Sequence, residues 1–178
     1  MTGPQPSGDR TPWIVTASAG AVALALTVVL LAVILPDRHH HNSRPAVAGA
    51  ITATEQRAMD AASLEISNVL TYARASFDHD YARTLAGATG PLATDLDKQK
   101  AMILSQMKSG KFDLQGTVTA TAFEQQSGTT ALILVSAQGY KLPDGAQKTL
   151  TSTARFEVTM SDINGKWLAS DLQSVGLV

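Results

Sequence analysis

The chain has 178 residues, 44% of them hydrophobic, a formal net charge of -1 and no cysteine. One ordinary domain fits this length, and without cysteine neither a disulfide framework nor a thiol nucleophile is available. No run of Lys or Arg supplies the electrostatic footprint of a nucleic-acid surface, and no GxGxxG, GxxxxGK[ST] or GxSxG pattern occurs, which removes the phosphate-loop and serine-elbow readings.

Residues 1–12 contain Pro4, Pro6, Pro12, Gly3 and Gly8 and read as a disordered cytoplasmic tail. Residues 13–35 (WIVTASAGAVALALTVVLLAVIL) hold no charged side chain. At about 1.5 Å per residue such a helix reaches roughly 34 Å, enough to cross a hydrocarbon core of about 30 Å. A cleaved export signal has a shorter apolar stretch and a nearby small-residue site. Here the A-x-A candidate, Ala46 to Ala48, lies well past the apolar end, beyond Pro36, Arg38 and His39 to His41. The segment is therefore expected to stay in the membrane as a transmembrane anchor. Arg10 precedes it and Arg38 and Arg44 follow it; read literally, that count mildly favours a cytoplasmic carboxy-terminal domain, a margin too small to orient the chain.

Residues 36–50 are polar, carry two prolines and end in small side chains, a linker between anchor and domain. From residue 51 onward eleven Lys and Arg face thirteen Asp and Glu, a net -2. Over residues 52–76, Met59, Ala62, Ile66, Val69, Leu70 and Ala73 recur at helical steps continued by Phe77, with Arg57, Asp60, Glu65, Ser67, Asn68 and Arg74 on the other face. Thr54 is the expected cap. Asp80 is expected to cap a short second helix over Tyr81, Leu85 and Ala86, stopped by Gly87 or Gly90. A third helix opens at Thr94 or Asp95, turns Leu96, Met102, Ile103 and Met107 inward and stops at Ser109-Gly110.

Beyond Lys111 the period becomes two. Four strands are predicted, near residues 113–125, 130–140, 148–161 and 166–175, with turn chemistry at Ser127-Gly128, Pro143-Asp144-Gly145 and Asn164-Gly165. Short joints imply antiparallel neighbours in sequence order. In the third strand Leu150, Ser152, Ala154, Phe156, Val158 and Met160 share one face, expected to pack on the helices. The second (TALILVSA) is apolar on both faces and is expected to be central. The sum is an α+β domain over residues 51–178, with three helices on one face of a four-stranded antiparallel curved sheet that can form a cone with a pocket.

Candidate chemistry is sparse. His39, His40 and His41 lie in the linker without fixed geometry, so no metal site is expected. Asp78, His79 and Asp80 are the domain's carboxylate and imidazole cluster, the residue types of a general base, but their place in an interhelical turn favours helix capping. Asp95 and Asp97 point apart on a helix and suit its start. Met102 and Met107 suit a lipid groove or, by spacing, the core. Trp167 either rims a ligand mouth or packs across its hairpin, and packing is favoured. No catalytic, cofactor-binding or metal-binding residue is assigned, and the chain is expected not to be an enzyme.

The anchor, the stretch YARASFDHDYARTLAGATGPLATDL, the helix KQKAMILSQMKSG and the final hairpin RFEVTMSDINGKWLASDLQSVG together resemble actinobacterial mammalian-cell-entry (Mce)-associated membrane proteins over residues 11–178. The resemblance implies a single anchor at the cytoplasmic membrane and an extracytoplasmic domain like nuclear transport factor two. It also implies an accessory role beside Mce-type lipid importers, with transporter subunits as partners. A lipid-binding cone, or a small enzyme of the same fold, is the alternative.

Overall fold

A computed structural model describes residues 50–177, with side chains to Val175. The expected tail, the anchor at residues 13–35 and nearly all of the linker, His39 to His41 included, lie outside the described residues. Helix α1 (Ala53–Val69) is followed by a 3-10 turn (Arg74–Ser76), α2 (Phe77–Gly87), α3 (Gly90–Gly110), then strands β1 (Phe112–Ser127), β2 (Thr130–Pro143), β3 (Thr149–Ile163) and β4 (Lys166–Leu177). Among the described residues no helix is long and apolar enough to cross a membrane.

The cap of α1 is Thr52, not Thr54. The Thr52 hydroxyl accepts the Glu55 amide at 3.2 Å while the Glu55 carboxylate accepts the Thr52 amide at 2.7 Å, a reciprocal box that satisfies two orphan donors of the first turn. The helix also ends at Val69, earlier than its periodicity predicts. Tyr72 exchanges backbone hydrogen bonds with Leu114 of β1 at 3.1 and 2.9 Å, and the Thr71 hydroxyl accepts the Gly116 amide at 3.0 Å. A sheet edge thus takes the backbone groups that a longer helix needs.

Asp80 lies inside the first turns of α2 and reaches back, accepting the Ala73 amide at 3.0 Å and the Ser76 hydroxyl at 2.9 Å. It closes the loop before the helix instead of starting the helix. Helix α3 begins at Gly90 with Pro91 in its first turn, earlier than Thr94 or Asp95, because proline's fixed φ suits that position. Its end falls at Ser109-Gly110 as the sequence predicts, and Lys111 takes the left-handed conformation at φ 52°.

The strands pair β1-β2-β3-β4, each antiparallel to the next. At the last joint Asn164 and Gly165 both have positive φ, 54° and 83°, which only short polar residues and glycine adopt readily. Register shifts interrupt all three pairings; bulges of this kind bend and twist a sheet. Ala131, Ile133, Val135 and Ala137 of β2 and Ala154, Phe156, Val158 and Met160 of β3 fill the inner face against Ala58, Ala62, Ile66 and Val69 of α1 and Leu92 and Leu96 of α3. Each large apolar side chain buried there stabilises the fold by roughly 1.5 to 3 kcal/mol. Leu150 departs from the predicted inward face: it is 51% exposed, at the end of β3 that the packed face does not reach.

A second apolar cluster joins Tyr72, Phe77 and Tyr81 to Ile103, Met107 and Phe112. The rings of Tyr72, Phe77 and Tyr81 lie 5.5 to 5.8 Å apart, within the range of favourable aromatic pairs. Tyr81 donates its hydroxyl to the Leu96 carbonyl, tying α2 to α3. Ile103 and Met107 are therefore core residues.

Candidate functional site

Asp78, His79 and Asp80 sit in three different environments. His79 is 82% exposed and stands 3.7 Å from Asp80, and Asp78, 84% exposed, pairs with Lys100 at 2.8 Å. Asp80 is committed to the loop and to Arg83 at 3.0 Å. Burial works to raise the Asp80 pKa, but the Ala73 amide, the Ser76 hydroxyl and Arg83 outweigh it and hold the carboxyl below the ordinary range. Asp95 pairs with Lys98 at 2.8 Å near the start of α3. Among the described residues no group of three or more His, Asp or Glu is placed to hold a metal ion.

A different site emerges where α1, α2 and the β3-β4 turn meet. A groove of about 410 Å³ runs between Ala61, Leu64 and Glu65 on α1, Ala86 and Gly87 at the end of α2, and Lys166 and Trp167 after the turn. Helical spacing placed Glu65 on the outer face, yet it is only 3% exposed, and neither carboxylate oxygen has a hydrogen-bond partner among the described residues. The reason is α2, which covers what would otherwise be a solvated flank of α1.

Gly87 makes that coverage possible. A Cβ there would fall 1.8 Å from Glu65 Oε2, so the end of α2 rests directly on the carboxyl. An isolated buried carboxylate is costly enough that the group neutralises instead. Burial pushes the Glu65 carboxyl up to about 7, and the Asn68 side chain and the charges of Arg83 and Lys166 offset only part of the rise. Tyr72, whose buried hydroxyl also has no hydrogen-bond partner among the described residues, is pushed up by burial.

Cations ring the groove. Arg83 is occupied, donating to Asn68 Oδ1 at 3.0 Å, to Asp80 and to the Thr71 carbonyl. Among the described residues Arg57 donates to the Ala53 carbonyl and the Thr54 hydroxyl, and Lys166 donates to the Ala86 carbonyl at 3.1 Å. Trp167 packs into the core, as favoured from its sequence position, and also lines the groove. No single-sequence signal marks Glu65 as buried; the small Ala61, which lines the same groove, is the nearest hint.

Three helices on one face of a four-stranded antiparallel sheet place the domain among the α+β folds like nuclear transport factor two. The periplasmic domain of DotI shares it with a TM-score of 0.59 at 10% identity, covering 71% of this chain and 98% of that one. A periplasmic fragment of TraM matches at 0.58 and 13%, covering 69% and 98%, and VirB8 of Agrobacterium tumefaciens at 0.54 and 9%, covering 73% and 97%. At such identities the shared property is the fold.

The chain belongs to the Rv1363c/MT1408-like family of uncharacterized proteins, whose model matches residues 13–176. The uncharacterized protein Rv1363c of Mycobacterium tuberculosis (strain ATCC 25618 / H37Rv) is 26% identical over 127 residues, covering 70% of this chain and 49% of that relative. The chain thus spans about half the length of the curated relative it matches.

Proposed function

We propose that this protein is a non-enzymatic, single-anchor accessory protein of the cell envelope, whose folded domain sits outside the cytoplasmic membrane and binds subunits of an Mce-type lipid importer. The observation that carries this reading is the combination of an uncharged segment at residues 13–35, lying within the family match at residues 13–176, with a domain folded like the periplasmic parts of TraM and DotI. The Mce partnership rests on the sequence resemblance. The accessory role is supported by the state of Asp78, His79 and Asp80, which are engaged in surface and loop contacts. His79→Ala is accordingly expected to leave function intact.

Affinity capture from membranes in mild detergent, followed by mass spectrometry, tests the partnership: importer subunits are expected in the eluate, and their consistent absence would sink it. Replacing Leu26 and Leu30 with Arg tests the anchor. Each central Arg costs roughly 2.5 to 3.5 kcal/mol of insertion free energy, so release or degradation is expected, and unchanged membrane retention would overturn the tether.

A further inference from the structure

The groove between α1, α2 and the β3-β4 turn has a chemical character that the accessory role does not use. The surface lining its roughly 410 Å³ is mostly apolar, with Ala61, Leu64, Ala86 and Trp167 contributing, and Leu64 is left 62% exposed. An apolar cleft with a few convergent polar groups is the usual form of a small-molecule site. Its uncommitted charges are positive. Arg57 and Lys166 have carbonyl or hydroxyl partners and no carboxylate within 4 Å among the described residues, whereas the third cation, Arg83, is already paired with Asp80.

We infer that this groove binds an anionic amphiphile, its head group held by Arg57 and Lys166 and its aliphatic part laid along Leu64, Ala86 and Trp167. The buried, unpartnered Glu65 beneath the groove sets the charge that the head group meets. The charged and titratable groups around it are Arg57 on α1, Arg83 with Asp80 behind it on α2, Lys166 on β4 and the Tyr72 hydroxyl. Asp162, at the neighbouring turn, is engaged with the Gly165 amide at 2.7 Å. With Glu65 protonated, the uncommitted charge of the groove is wholly positive; ionised, Glu65 cancels part of it. Since burial holds that carboxyl near 7, an anion binds better below neutrality and, by linkage, favours the protonated acid. The site is read from the groove alone, so it stands or falls separately from capture of importer subunits.

The test uses the full chain in lipid nanodiscs with Trp13→Phe, which leaves Trp167 as the sole tryptophan, and reads Trp167 emission, corrected against empty discs. Octanoate and octyl phosphate, which separate a carboxylate from a phosphate head, are titrated against octylamine. Saturable shifts are expected with at least one anion and none with the amine at equal concentration. Substituting Arg57→Gln together with Lys166→Gln is expected to weaken anion binding roughly tenfold, with an unchanged circular dichroism spectrum, as loss of two nearby charges predicts. Octanoate affinity is expected to fall about threefold between pH 6 and 8, and Glu65→Gln to flatten that dependence. Equal binding of octylamine, an unaffected double variant, or no saturable response to either anion overturns the site. A pH-independent wild type overturns the part given to Glu65.

Discussion

Helix α1 packs on two partners, and the two seams are chemically opposite. Against the sheet it presents Ala58, Ala62, Ile66 and Val69 to Ile133, Val135, Phe156 and Val158, an apolar interface. Against α2 it presents Glu65 and Asn68 to Thr84, Arg83 and Gly87, where the Thr84 hydroxyl donates to the Asn68 carbonyl at 3.1 Å and Glu65 stays unpartnered. The first seam holds the domain together through buried area. The second gives up stability to keep ionisable groups beside an open groove, a pattern common where a surface has a task beyond folding.

The largest expected effect is in the apolar seam. Phe156→Ala should destabilise the domain by about 3 to 5 kcal/mol, through lost transfer energy and an unfilled cavity, and denaturant unfolding of the full chain would measure it. A loss below about 1 kcal/mol would show that this seam is not the main support.

Next comes Glu65, where the sign is reversed. Its folded pKa is raised from an ordinary 4.5 to about 7, so the native state keeps a proton that the unfolded chain releases. That contribution is present at low pH and is lost as pH rises through this window, on the order of 3 kcal/mol in all. Glu65→Gln should therefore raise stability at pH 8 and change it little at pH 4, as unfolding curves at the two pH values would record. An equal effect at both would mean that the carboxyl is not neutral in the fold.

Asp80, in the same seam, has the opposite dependence. Its pKa is held low by the Ala73 amide, Ser76 and Arg83, so its contribution is present above the ordinary aspartate range and lost as pH falls through and below it. Asp80→Ala should cost about 2 kcal/mol near neutrality through the lost charged hydrogen bonds, and much less in acid. The smallest effect separates two threonines: Thr52→Ala should cost about 1 kcal/mol as loss of a cap, and Thr54→Ala only a few tenths. Equal costs would move the cap.

Much of the fold was legible along the chain. The alternation in β3 identified Ala154, Phe156, Val158 and Met160 as inward, and all four are buried. Asn164-Gly165 marked its turn because positive φ at two successive positions demands such residues. The groove was far less legible. Asp78, His79 and Asp80 stood out because acidic and imidazole groups adjacent in sequence look like a site, but adjacency gave each a different environment. Glu65 was read as a solvated position, since helical period assigns a face without saying whether a second helix covers it.

The sequence by itself determined the uncharged segment, the order of helices before strands, the turn positions and the inner face of the sheet. These follow from local chemistry: apolar period, backbone preference and turn residues act within a few positions. Tertiary structure alone decided where α1 stops, because Leu114 takes the backbone of Tyr72, and why the Glu65 carboxyl is pushed up, because Gly87 lets the end of α2 close over it. Both depend on groups distant in sequence competing for the same hydrogen bonds and the same solvent.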